Sequence, residues 1–220
     1  MSETAKRIKK IVDGGLSPLL KSKGFRKNST NFSRKDGEAL QVINIQSSNW
    51  NISTSGRFTI NIGVHFATVA QMLGGTDPMP SPPKEYYCLL RRRVGQLIRD
   101  GRDHWWKVTP ESDIDALAAE LNLVWENHIS LWLEKTKTVA GAAPELEEGL
   151  VSPMAAAAAR LVLGEREKAE NLARAVIERF KIDLQTAHPV NTELIASHLK
   201  TSQQWAFEHN LINSEELYRP

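Results

Sequence analysis

The stretches LQVINIQS (residues 40–47) and RFTINIGVHF (residues 57–66) decide the fold. Phe58, Ile60, Ile62, Val64 and Phe66 alternate strictly with polar or small residues, and Ile43 and Ile45 keep the same period, as expected of strands with one buried face. Pairing Ile45 with Ile60 and Ile43 with Ile62 puts all of these apolar side chains on one side. A one-residue slip would scatter them. The same register sets Asn44 opposite Asn61, Gln46 opposite Thr59 and Leu40 opposite His65, so the second face becomes a ladder of amide and hydroxyl groups. That face is either wetted or a site.

Working outward, Asp36-Gly37 is the strongest two-residue hairpin signal in the chain. It pairs Arg34 with Ala39, sets Phe32 across from Gln41 and Thr30 across from Ile43, and brings Phe32 onto the apolar face. Two independent turns agree on the core side, which supports an antiparallel meander. Before it, residues 4–23 carry Ile8, Ile11, Val12, Leu16, Leu19 and Leu20 as one helical stripe that would cover the oily face. Gly14, Gly15 and Pro18 weaken the middle of that helix, and Gly24 is a plausible end.

The loop SNWNISTSGR (residues 48–57) holds Trp50, expected to fold back onto its own domain. LGGTDPMPSPPKE reads as a surface loop. EYYCLLRRRVGQLI (residues 85–98) fits both periods, with a strand preferred, and Trp105-Trp106-Lys107-Val108 reads as a short strand with one Trp on each face. Residues 113–134 read as a helix with Ser112 or Asp113 as its cap. VAGAAPELEEGLVSP reads as a linker, followed by Ser152-Pro153 as the start of a helix over MAAAAARLVL. A helix through Ala169 to Phe180 and another over about residues 192–210 follow. The small-residue helix, Gly turn and second helix resemble one tetratricopeptide-type hairpin, but no period recurs.

The expected class is therefore α+β: an antiparallel meander of three to five strands covered by an N-terminal helix and a following helix, then a C-terminal helical extension. The boundaries are 1–138 for the α+β domain and 139–220 for the extension, with a linker at about 139–152 and then three helices.

Charge is divided unevenly. Residues 1–108 hold 18 Lys/Arg against 8 Asp/Glu, and residues 109–220 hold 10 against 18, although the whole chain nets only +2. A basic half invites an anionic ligand or nucleic acid, while the acidic half of the same chain is a competing counter-surface. The single cysteine, Cys88, excludes an internal disulfide, and the start MSETAKRIKK has no apolar signal region. A cytoplasmic location without a membrane span is expected.

No phosphate-cradling glycine loop, dinucleotide fingerprint, HExxH, CxxC or GxSxG motif occurs. The histidines at 65, 104, 128, 188, 198 and 209 have no spacing that puts two on one helix face. Neither metal nor cofactor is expected, and no catalytic residue is assigned. The candidate binding residues are Asn44, Gln46, Asn61 and His65 on the polar ladder, Arg91 and Arg93 if they project together from a strand, and Trp105. Three readings follow: a non-catalytic binding or protein-interaction module, with a protein partner or second copy on the helical part; a nucleic-acid-binding protein; and a small enzyme using His65 as acid or base.

GFRK (24–27), NFSRK (31–35), VINIQSS (42–48), FTINIGV (58–64), Cys88 with RRRVGQL (91–97), and Asp103 with WWKV (105–108) occur in an order that resembles the bacterial domain-of-unknown-function family numbered 4304, over about residues 5–135. The resemblance implies an α+β domain of cytoplasmic bacterial proteins with no established activity, and it brings no catalytic residues. The chain departs from the family pattern at Ser130-Leu131-Trp132-Leu133, where members often carry an apolar-Pro-Leu element.

Overall fold

The structure is a computed structural model that describes residues 2–75, 79–98, 101–148 and 154–217. The chain divides into two compact units, one of Met1–Phe66 with Asp77–Ala142 and one of Ala67–Thr76 with Ala143–Pro220.

In the first unit, α1 (Glu3–Gly14) begins at Ser2, whose side chain accepts from the Ala5 N–H, and gives way to α2 (Leu16–Ser22) at Gly15. The break has a packing cause: a Cβ on Gly15 would lie 2.4 Å from the carbonyl oxygen of Ala118. Gly24, at φ +84°, turns the chain out of α2. The strands are β1 (Arg26–Asn28), β2 (Asn31–Asp36), β3 (Ala39–Ser47), β4 (Gly56–His65), β5 (Leu90–Arg93) and β6 (Trp106–Val108). They form an antiparallel sheet in the order β1-β2-β3-β4-β5, with β6 also pairing with β4. The sheet has six strands among the described residues rather than three to five, because two three-residue strands, β1 and β6, both pair.

The β3–β4 register is the expected one: Ile45 opposes Ile60, Ile43 opposes Ile62, Asn44 opposes Asn61 and Leu40 opposes His65. The β2–β3 register differs by two residues. Asp36 pairs with Ala39 and Phe32 with Ile43, so the loop residues are Gly37 and Glu38. Gly37 has φ +58° and Glu38 has no positive φ, the Gly-X pattern of a two-residue hairpin turn. A shift of two preserves the faces, so Phe32 remains in the core.

That core is the oily sheet face, where Phe32, Ile43, Phe58, Ile60, Ile62, Val64 and Phe66 are fully buried. Ile8, Ile11 and Val12 of α1, Leu16 and Leu20 of α2, and Leu121 of α5 (Ile114–Val124) are buried with them. Asp113 caps α5 by accepting from the Asp115 and Ala116 N–H groups. A π-type turn, Trp125–Ile129, leads on to α6 (Ser130–Lys135). Gln41 is buried on this apolar face, and its amide is satisfied there: Nε2 donates to the Leu133 carbonyl at 3.0 Å and Oε1 accepts from Arg34 Nε at 2.8 Å.

Residues 85–98 combine both periods read in them. A 3-10 turn, Glu85–Tyr87, precedes β5, and a short helix, Val94–Ile98, follows it. Trp50 does not fold back; it is 87% exposed. The linker reading is also corrected, since Val139–Glu148 is helical with Pro144 inside it. The Ser152-Pro153 helix start lies outside the described residues.

The second unit is helical: Ala67–Met72, which the sequence reading left as loop, then Ala155–Val162, Arg166–Thr186, Pro189–Glu208 and Ser214–Leu217. Ala155 to Ala159 are all buried, and Gly164, at φ +74°, closes the turn to the next helix. Trp205 Nε1 donates to the Met72 carbonyl at 2.9 Å. No helix among the described residues is long and apolar enough to cross a membrane.

Gly15→Ala should destabilise the chain by about 1–3 kcal/mol through overpacking against the α5 backbone. Gly14→Ala should be close to neutral, because its Cβ would sit at an ordinary 3.9 Å from Ala118 Cβ. Urea denaturation of the two variants checks the contrast, and equal losses would contradict the packing account.

Candidate functional site

The polar face of the sheet is divided by what crosses it. At one end, Gly63 lies beneath Cys88 and Glu85: a Cβ there would be 2.7 Å from Cys88 Sγ and 3.1 Å from the Glu85 carbonyl oxygen. Val42, its partner, is fully buried. At the other end Thr59 is buried, and its hydroxyl donates to the His104 carbonyl at 2.8 Å. Between these covers, Asn31, Asn44, Gln46 and Asn61 line a depression of about 470 Å³ together with Thr30, Lys84, Glu85, Tyr86, Arg91 and Arg93.

Strand pairing explains this convergence. Arg93 opposes Asn61, Arg91 opposes Gly63 and Asn31 opposes Asn44, so the period of two sends all of these side chains to the same face. The amides then form a directional chain. Asn44 Nδ2 donates to Asn31 Oδ1 at 2.9 Å, and Asn61 Nδ2 donates to Asn44 Oδ1 at 3.3 Å and to Gln46 Oε1 at 2.8 Å. Arg93 Nε donates to Asn61 Oδ1 at 3.2 Å, and its NH2 donates to Gln46 Oε1 at 3.3 Å.

Arg93 is fixed from the far side by Asp103, which accepts from NH1 at 3.0 and 3.2 Å and from Trp105 Nε1 at 2.7 Å. Burial works against the Asp103 charge, yet the hydrogen bonds from Trp105 and Arg93 hold its pKa below the usual carboxylate value. Arg91 pairs with the buried Glu85 at 3.2 Å, while its Nε is buried without a hydrogen-bond partner.

The chain of amides consumes oxygens and leaves donors. Among the described residues, Asn31 Nδ2 and Gln46 Nε2 donate to nothing and Lys84 makes no ion pair. The depression therefore offers N–H groups and positive charge, with Glu85 as its only acidic lining residue. This arrangement suits a ligand rich in acceptor oxygens.

Five of the seven sequence-derived candidates meet here: Asn44, Gln46, Asn61, Arg91 and Arg93. Trp105 stands one step outside, tied through Asp103, with the Arg57 and Arg93 guanidiniums over its ring at 4.9 and 5.4 Å. His65 lies apart from the depression, half-buried beside the Tyr87 backbone. Asn31, Lys84 and Glu85 were missed. The first would follow from the correct β2–β3 register; the other two come from a Pro-rich loop without periodicity.

Cys88 is not poised for nucleophilic chemistry at neutral pH. Burial, reinforced by Glu85, pushes its thiol up to about 12. Among the described residues no group of three or more His, Cys, Asp or Glu could hold a metal ion.

A six-stranded antiparallel sheet with one helix-covered face and one amide-lined face defines an α+β domain whose other face is open to a ligand. A family model described as Domain of unknown function (DUF4304) matches residues 16–135, more than half of the chain, and the chain belongs to that family. No curated protein and no solved structure matches it.

His65 gives the first unit a pH signature. Burial lowers its pKa from 6.5, with partial opposition from the Tyr87 backbone hydrogen bond. Between that lowered value and about 6.5 the unfolded chain binds a proton that the folded chain refuses, so stability falls as pH drops through this window and is unaffected by His65 above it. His65→Gln should flatten the decline in urea-unfolding stability between pH 7.5 and 5.5. An unchanged slope would remove His65 as its source.

Proposed function

We propose that the α+β domain, bounded at residues 1–138, is a non-catalytic binding module whose amide–arginine depression takes an anionic, oxygen-rich group such as a carboxylate or phosphate. The observation that carries this reading is the surplus of donors: every amide oxygen in the network is an acceptor for a neighbour, whereas Asn31 Nδ2, Gln46 Nε2, Arg91 Nε and Lys84 have no described partner. The hydrogen-bonded chain fixes these groups before a ligand arrives, which lowers the ordering cost of binding. Tyr86, half-exposed at the rim and 4.7 Å from the Tyr87 ring, adds an apolar lip.

Titrating the full chain with inorganic phosphate or citrate should shift the ¹⁵N signals of the Asn31 and Gln46 side-chain amides and of Arg91 Nε. Lys84→Ala and Arg91→Lys should each weaken binding roughly tenfold or more, the second while keeping a cation beside Glu85. Shifts spread elsewhere, or variants that bind normally, would defeat the proposal.

A second reading, nucleic-acid binding, is favoured by Trp50 and Ile52, exposed by 87% and 62% beside Arg57, Trp105 and Lys107 around a cleft of about 450 Å³. It predicts that a single-stranded oligothymidylate binds with affinity falling steeply as salt is added and that Trp50→Ala weakens it. No binding at low salt rejects it. A protein partner or second copy would find exposed Ile182, Val190 and Leu194 on the helical unit.

A further inference from the structure

A second cavity of about 860 Å³ lies on the opposite, oily side of the sheet, between α1 and strands β1 to β3. Its walls are Ile8 and Val12 from α1, Phe25 from the turn after α2, and Phe32 and Ile45 from the sheet. Protein interiors are packed at crystal density with few voids larger than a water molecule, so an apolar-walled space of this size is not ordinary core packing. Its volume falls in the range of small-molecule sites, and its composition, mostly apolar with a few polar groups, matches theirs.

The rim is charged. Lys9, Lys21 and Lys27 line it against one carboxylate, Asp13. Lys27 and Lys9 both bond Asp13 and hold its carboxyl below the usual range, so it stays ionised and neutralises one cation at most. Lys21 makes no ion pair among the described residues. Lys27 Nζ stands 5.4 Å from the centroid of the Phe32 ring, placing a cation where the apolar wall meets the rim. An apolar cleft with a net cationic mouth is complementary to a molecule with an alkyl body and an anionic head.

We propose that this cleft binds a single-chain amphipathic anion, an alkyl chain carrying a carboxylate or phosphate head, with the chain against Ile8, Val12, Phe32 and Ile45 and the head at Lys21 and Lys27. The site is separate from the amide–arginine depression and does not depend on it. The two share only Thr30 as a lining residue.

The test uses the full chain with octanoate, decanoate, decyl phosphate and decylamine, each below its micelle concentration, in titration calorimetry. Affinity should rise roughly threefold to fourfold per added methylene from octanoate to decanoate, as burial of the chain requires. Decylamine should bind at least about tenfold more weakly than decanoate. Lys21→Glu, an exposed substitution, should reverse part of that preference, and Val12→Phe should abolish the dependence on chain length by filling the cleft. If Val12→Phe loses its melting transition, the Lys21→Glu result decides. Arg91→Lys should leave decanoate binding unchanged, which separates this site from the depression. Absence of decanoate binding, equal affinity for decylamine, or affinity independent of chain length would each overturn the proposal. A preference for decyl phosphate over decanoate would support it and assign the head group.

Discussion

The pairing of β3 with β4 is the constraint on which the rest of the first unit depends. Side chains alternate with period two, so the register that sets Ile43 on Ile62 necessarily sets Asn44 on Asn61. Core and candidate site are two faces of one alignment. A slip by one residue would send four amides into the helical layer and the isoleucines into the depression. Gln41 shows how costly a polar group is on the wrong side: the one amide on the oily face is buried only with partners on both its oxygen and its nitrogen.

On the polar face, exposure is controlled by what covers it. The turn at Glu85–Tyr87 with Cys88 closes one end and the segment carrying His104 closes the other, leaving a gap only where Asn31, Asn44, Gln46 and Asn61 stand. The interposed side chains bond to one another in a single direction. Such a chain polarises its members and holds each amide in one orientation. A polar patch that was merely solvated would not need Arg93 bound to both Asn61 and Gln46 and anchored in turn by Asp103.

How far this was legible in the sequence differs by element. Strict alternation of large apolar residues made the β3–β4 register readable by arithmetic. The β2–β3 register was misread by two because Asp-Gly is a strong local turn signal, while the folded hairpin matches Phe32 to Ile43 and lets Gly37 take the positive φ. Parity survived the error, so the core was right and Asn31 was lost from the site. Residues 85–98 gave two periods because they contain a strand and then a helix. Pro144 and nearby glycines hid the helix over Val139–Glu148, where burial of Val139, Ala142, Ala143 and Leu146 outweighs weak propensity. Trp50 was expected to find cover, and no periodicity in its loop could have shown that it would not.

The charge asymmetry gains a physical meaning from the two cavities. Each described ion pair of residues 1–108 is made inside that segment: Lys6 with Glu3, Lys9 and Lys27 with Asp13, Arg34 with Asp36, Arg91 with Glu85, and Arg93 with Asp103. With 18 cations and 8 carboxylates in those residues, pairing there leaves cations over however it is arranged. The surplus is not spread evenly. Lys84 and Arg91 border the amide depression, and Lys9, Lys21 and Lys27 border the apolar cleft, so both openings of the first unit lie in positive potential. An anion approaching either one meets fixed donors whose cost of assembly was met in folding, and the two faces differ in what lies beyond the charge: amides in one, hydrocarbon in the other.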